Sequence, residues 1–117
     1  VDLISLIAPT SHQRIAMIAR EAEGFLYIVS SLGVTGTRSE ITTDLASIIQ
    51  VVRENTDVPC AIGFGISIPA QARQMAELAD GVIVGSAIIK LLQQHGTQAA
   101  PAVGAYVKEM KQGIMDL

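Results

Sequence analysis

Gly81-Val82-Ile83-Val84-Gly85-Ser86-Ala87-Ile88-Ile89-Lys90 is the stretch from which the fold is read. Three β-branched residues make a short buried strand. Gly85 and Ser86 break it, and a helical pattern begins at once with Ala87, Ile88, Leu91 and Leu92. The first amides of a helix have no internal partner, and the helix dipole favours negative charge beside them. A strand that turns into a helix through Gly-Ser therefore aims bare N–H groups at one point, a ready anion site. A second turn of the same kind comes before it, Ala61-Ile62-Gly63-Phe64-Gly65-Ile66-Ser67. The two turns read as binding one phosphate together.

Outward from this pair, strands and helices alternate. Asp2 to Ala8 reads as a first strand, stopped by Pro9. Thr10 or Ser11 caps a helix to about Ala22, with Ile15, Ile18 and Ala19 as its stripe. A second strand spans Phe25 to Ser30, and its parity puts Phe25, Tyr27 and Val29 on one face and Leu26, Ile28 and Ser30 on the other. The loop from Ser31 to Glu40 is long for an α/β connection, a length that suits a functional or mobile segment. A helix from about Thr43 to Glu54 carries Leu45, Ile48, Ile49 and Val52. Cys60 to Phe64 is the third strand. Ser67 caps the next helix, which buries Ala72, Met75, Ala76 and Ala79. After Gly85-Ser86 a helix runs to His95 and ends at Gly96. A last helix, from about Gln98 to Gln112, turns Val103, Tyr106, Val107 and Met110 inward.

The order βαβαβαβα with closing helices argues for a parallel sheet with right-handed crossovers. Two closures remain open on this pattern: an open doubly wound sheet, or half of a (β/α)8 TIM barrel with an extra C-terminal helix. A whole barrel needs about 250 residues, and barrel enzymes hold phosphate at the loops after their last strands. The paired glycine turns favour the barrel.

Composition supports a buried parallel sheet. The chain has 117 residues, half of them hydrophobic and only 3% aromatic, so its core must be aliphatic. The net charge of −3 and the lack of a basic run argue against a nucleic-acid partner. The apolar runs are too short for a membrane span, and no signal peptide is visible. The single Cys60 has no internal disulfide partner, which fits a cytoplasmic protein. The chain opens at Val1, directly in a strand-like run, as expected of a piece of a longer protein.

Ligands meet such folds at the C-terminal ends of the strands. Those ends are Ala8-Pro9-Thr10, Ser30-Ser31, Gly63-Phe64-Gly65 and Gly85-Ser86, and none carries Asp, Glu, His, Lys or Cys. General acid–base catalysis needs a titratable group within reach of the reacting atom. The segment is thus equipped to grip a ligand but not to move its protons. Tyr27 is the nearest candidate; it reads equally as a core tyrosine. The glycines read also as plain tight-turn residues, Lys90 as an anion aid or a solvated lysine, and Arg38 with Glu40 as a solvated pair. His12 and His95 read as solvated, Cys60 as a small buried hydrophobe, and no residue cluster has metal-ligand spacing.

Ile7-Ala8-Pro9-Thr10, Tyr27-Ile28-Val29-Ser30, Gly33-Val34-Thr35-Gly36, Gly63-Phe64-Gly65-Ile66-Ser67, Asp80-Gly81-Val82-Ile83-Val84 and Gly85-Ser86-Ala87-Ile88 occur in this order. Together they resemble the tryptophan synthase α subunit across the whole chain. The resemblance implies that residues 1–117 are one C-terminal half-barrel segment, strands five to eight of the family barrel. It implies an aldolase-type lyase of tryptophan biosynthesis that cleaves indole-3-glycerol phosphate to indole and glyceraldehyde 3-phosphate. It also implies a pyridoxal-phosphate β subunit as partner and no cofactor of the segment's own. By position, Gly36, Gly65, Gly85 and Ser86 resemble phosphate-binding residues, Phe64 an apolar substrate contact, and Tyr27 the tyrosine near the glycerol phosphate chain. Gly33 to Arg38 resembles a loop that closes over substrate, with Thr35 its key hydroxyl. The family's catalytic glutamate and aspartate match nothing here. The segment alone is therefore expected to be inactive, and to pair with a missing N-terminal half or with itself. The competing reading is a catalytically silent half-barrel binding or assembly module.

Overall fold

The computed structural model describes residues 1–30, 38–63 and 65–115, with residues 38–43 given as backbone. Four strands, β1 (Ser5–Ile7), β2 (Leu26–Val29), β3 (Cys60–Gly63) and β4 (Gly81–Val82), alternate with α1 (His12–Arg20), α2 (Arg38–Asn55) and α3 (Pro69–Ala76). After β4 come α4 (Ser86–His95), a 3-10 turn (Gly96–Gln98) and α5 (Ala99–Met115). All strand pairs are parallel and the spatial order is β1-β2-β3-β4. A doubly wound sheet would place β1 in the middle; here β1 is at an edge. Sequential parallel order with helices on one side is the arrangement of half a (β/α)8 barrel.

Register makes the two faces of this sheet different. Ile7, Ile28, Ile62 and Val82 lie in one row across all four strands. The three isoleucines are fully buried beneath the helices, and each contributes about 1.5–3 kcal/mol by leaving water. The helices answer with the expected stripes: Ile15 and Ala19 from α1, Leu45, Ile48, Ile49 and Val52 from α2, and Ala72 and Met75 from α3 are all buried. The opposite row, Leu6, Tyr27, Ala61 and Gly81, is uncovered. Leu6, a large apolar side chain, is 57% exposed there. The parity assigned to β2 therefore holds, with Leu26, Ile28 and Ser30 buried and Tyr27 and Val29 half-buried.

Tyr27 leans along this uncovered face toward the C-terminal end of the sheet. A Cβ on Gly63 would overlap the Tyr27 hydroxyl and come within 2.7 Å of ring atom Cε1. Gly63 is thus required as a floor for the tyrosine, within the strand, rather than as a turn residue.

Several elements differ from the expected ones. β1 is shorter, because Leu3 lies beyond the edge of β2 pairing and its amide goes to the Glu23 side chain at 3.1 Å. α2 begins at Arg38, so the helix takes up the last residues of the expected loop. The strand Gly81–Val82 is half-buried rather than buried, because β4 has one neighbour and an uncovered face. Ser11 caps α1 as expected, accepting from the Arg14 amide at 3.3 Å. Ser67 does not cap α3: the N-cap is Ile68, and Gln71 Oε1 accepts from the amides of Ser67 and Ile68 at 2.9 and 3.3 Å. α5 ends at Met115 and buries Met110, while Val107 stays exposed. His12 is exposed as expected, and its Nε2 also lies 3.2 Å from the Ser47 hydroxyl, which ties α1 to α2.

Asp80 fastens the start of β3 to the start of β4. Its carboxylate accepts from the Cys60 amide at 3.0 Å and pairs with Arg53 at 3.4 Å, and its own amide donates to the Cys60 carbonyl at 3.0 Å. The ion pair is about half exposed on both sides, where such pairs give ~0–1 kcal/mol. The hydrogen bond from the Cys60 amide to the charged oxygen is the larger effect, and it is the first cause of the lowered Asp80 pKa, with Arg53 adding to it. Burial pushes the adjacent Cys60 thiol up, so it stays protonated and unreactive. Asp80→Ala is expected to cost roughly 1–2 kcal/mol in chemical denaturation. Because the folded-state pKa is depressed, this stabilisation is present above the unfolded aspartate value, about 4, and is lost as pH falls through the folded value. The gap between wild type and variant should narrow with acid. A constant gap would contradict this role.

Candidate functional site

Two strand-to-helix turns meet at the C-terminal end of the sheet. After β3, Gly65 has φ +76°, a left-handed conformation that a side chain disfavours by about 1–2 kcal/mol. After β4, Gly85 is the N-cap of α4 and supplies no side-chain cap. Its carbonyl accepts from Ile88 and Ile89 at 3.0 and 3.2 Å. Those are the first amides the helix closes on itself, so the amides of Ser86 and Ala87 stand at an open helix start.

Both turns line one cavity of about 570 Å³, within the size range of small-molecule sites. Gly65, Ile66 and Ser67 form one wall, Gly85, Ser86 and Ala87 another, and Tyr27 and Ile83 lie toward the sheet. Ile89, Lys90, Leu91 and Gln94 of α4 complete it. Lys90 is the single charged residue among the described lining residues. It stands one turn beyond Ser86 on the same helix face, and helical side chains lean toward the N-terminus, here toward the open amides. A Cβ on Gly85 would meet no protein atom within 4 Å. Packing within the chain does not demand a glycine there; its bareness leaves the cavity mouth clear.

Of the residues singled out from sequence, Tyr27, Gly65, Gly85 and Ser86 are brought together around this cavity. Thr35, Gly36 and Phe64 lie outside the described residues, as does most of the expected closing loop. The described lining residues include no Asp, Glu, His or Cys. Among the described residues no group of three His, Cys, Asp or Glu could hold a metal, and no helix is long and apolar enough to cross a membrane.

Sequence reasoning missed Gln71 and Tyr106. Gln71 takes the Ser67 and Ile68 amides, and Tyr106 of α5 donates its hydroxyl to the Ser67 carbonyl at 2.6 Å. A glutamine in the first turn of α3 is a capping-box signal that could have found the first. Nothing local marks the second, because its partner is 39 residues away. α4 runs from Ser86 to His95 as expected, but none of its residues is buried, and Ile89 and Leu92 are about half exposed.

Comparison with known proteins places this geometry. The family profile described as "Tryptophan synthase alpha chain" matches residues 1–115. The tryptophan synthase alpha chain of Lactiplantibacillus plantarum is 56% identical over 116 residues, covering 97% of this chain and 43% of that protein. That of Bacillus licheniformis is 51% identical over 124 residues, covering 98% and 46%. Among solved structures, tryptophan synthase subunit alpha from Campylobacter jejuni superposes with a TM-score of 0.82 at 32% identity, over 94% of this chain and 44% of that one. A tryptophan synthase structure from M. tuberculosis, described as an aminoacrylate-bound form, gives 0.76 at 30% identity, over 97% and 40%. The chain spans less than half the length of the curated relatives it matches. A profile match over almost every residue, joined to a sequential parallel sheet with two glycine turns on one cavity, means that the chain belongs to the tryptophan synthase alpha chain family.

Proposed function

We propose that this segment is the phosphate-gripping half of a lyase barrel that cleaves indole-3-glycerol phosphate to indole and glyceraldehyde 3-phosphate. The observation that carries the reading is the convergence of the Gly65 turn and the Gly85–Ser86 helix start on one cavity. The Ser86 and Ala87 amides, the half-charge of the α4 dipole and the Gly65 turn receive the phosphate oxygens. Lys90 adds a full positive charge to a site built mainly of dipoles. Tyr27, held over Gly63, positions the glycerol chain through its hydroxyl. Thr35, Gly36 and Phe64 join them by resemblance: Gly36 at the phosphate, Phe64 as an apolar wall, and Thr35 on a loop that closes and excludes water.

Binding the phosphate places the rest of the substrate in fixed register with whatever groups move its protons. The described lining residues offer no carboxylate for that task, so the proton-transfer groups belong to another part of the barrel. The uncovered sheet face, with Leu6 exposed and β1 and β4 each paired on one side, is where that part docks. The full assembly hands indole to a β subunit. The second reading, a silent binding or assembly half-barrel that closes on its own copy, draws on the same uncovered face.

The 117-residue chain alone is expected to release no indole from indole-3-glycerol phosphate. Adding the N-terminal part of the Lactiplantibacillus plantarum relative in trans should restore release. Turnover by the chain alone contradicts the division of labour, and binding of phosphate without rescue favours the silent module. Gly85→Ala fills the cavity mouth but no protein space. It should weaken inorganic phosphate binding about tenfold, ~1.4 kcal/mol, in calorimetric titration while leaving the melting temperature within a few degrees. Unchanged affinity would remove Gly85 from the site.

A further inference from the structure

We propose that Tyr106 is a positioning residue for the phosphate site: from the C-terminal helix it clamps the Gly65–Ser67 turn in the geometry that faces the cavity. The inference rests on the phosphate reading of that cavity.

Every polar group of Ser67 is occupied from within. Its amide and its hydroxyl both donate to Gln71 Oε1, at 2.9 and 3.2 Å, and its carbonyl accepts the Tyr106 hydroxyl at 2.6 Å. The last is a short O–H···O bond. Ser67 lines the cavity but both of its donors are taken, leaving none for an anion, and Gln71 also takes the Ile68 amide. The backbone of this turn that the clamp leaves to the cavity is that of Gly65 and Ile66.

Gly65 is the soft point. It is exposed, has no side chain, and sits at φ +76° in a region it leaves and re-enters freely. The turn is fixed on the core side by Ile66, 4% exposed. On the other side it is fixed by Ser67. Gln71 belongs to α3, the helix the turn leads into, so its bonds are local. Tyr106 is the one long-range bond at Ser67 among the described residues, and it joins the turn to a separate element.

α5 is a firm post for that bond. It lies so close to the start of α3 that a Cβ on Gly113 would come within 2.9 Å of the Pro69 Cβ and 3.2 Å of its carbonyl. The Tyr106 ring packs against the buried core. Burial, and secondarily the Glu109 carboxylate, raise the phenol's pKa above its ordinary value. The hydroxyl is therefore a proton donor throughout the neutral range.

The test is an NMR titration of the 117-residue chain with inorganic phosphate, following the Gly65 and Ser86 amides in wild type and Tyr106→Phe. Phenylalanine keeps the ring and its packing and removes the donor alone. The expected result is a three- to tenfold weaker affinity, loss of the phosphate-induced shift at Gly65, a retained shift at Ser86, and a melting temperature within a few degrees. Gln71→Met, which frees the Ser67 amide, should affect Gly65 in the same way. An unchanged Gly65 response in Tyr106→Phe overturns the role of Tyr106 and leaves the phosphate reading standing. Equal losses at Gly65 and Ser86 with a lowered melting temperature also overturn it, as general loosening of α5. If neither amide responds in wild type, the phosphate reading fails and takes the inference with it.

Discussion

Two amides at the start of α4 have no carbonyl partner among the described residues. The helix closes first on Ile88 and Ile89, both through the Gly85 carbonyl, and glycine at the N-cap brings no side chain to satisfy Ser86 and Ala87. Most helix starts solve this with a serine, threonine or aspartate cap. Within this chain α1 does so through Ser11, which accepts from the Arg14 amide, while α3 opens with Pro69, which has no amide to satisfy. α4 is left open, and it is the helix whose start faces a cavity shared with a second glycine turn. The open start of α4 at that cavity gives the proposed phosphate site its physical basis.

The sheet supports the proposed division, in which this half of a barrel grips and another part transforms. Parallel register puts Ile7, Ile28 and Ile62 under the helices, where the core is complete. The other face carries Leu6, Tyr27, Val29, Ala61, Gly63 and Gly81, with small residues on β3 and β4 beside the tyrosine. Small residues there let Tyr27 lie flat along the strands and bring its hydroxyl to the ligand end, as the Gly63 overlap requires. The same face is unfinished as a hydrophobic surface. Its exposed leucine and the two edge strands are features that a barrel partner would cover.

Much of this was legible from the sequence because it depends on local chemistry. The i, i+3, i+4, i+7 spacing of Leu45, Ile48, Ile49 and Val52 and the alternation across Leu26 to Ser30 report burial directly, and both hold. The Gly-x-Gly and Gly-Ser turns were visible for the same reason, and the structure gathers Tyr27, Gly65, Gly85 and Ser86 at one cavity. What was not legible depends on distant partners. The Tyr106 bond to Ser67 crosses 39 residues. The role of Gly63 as a floor for Tyr27 depends on the β2–β3 register. The exposure of α4 and β4 depends on what does not pack against them, which periodicity within the segment cannot report. Ser67 misled because a serine before a proline-led helix start is a good cap by type, yet the N-cap is Ile68 and the Ser67 hydroxyl donates to Gln71 instead of accepting from the helix.

The central claim, that the two turns form one anion seat, is tested most directly by a crystal structure of the chain with phosphate bound. The account predicts a single phosphate within hydrogen-bond distance of the Ser86 amide and of the Gly65–Ile66 backbone at once, with the Lys90 ammonium turned toward it. A phosphate held by one turn alone, or seated elsewhere while the Ser86 and Ala87 amides are met by the protein's own side chains, would contradict it.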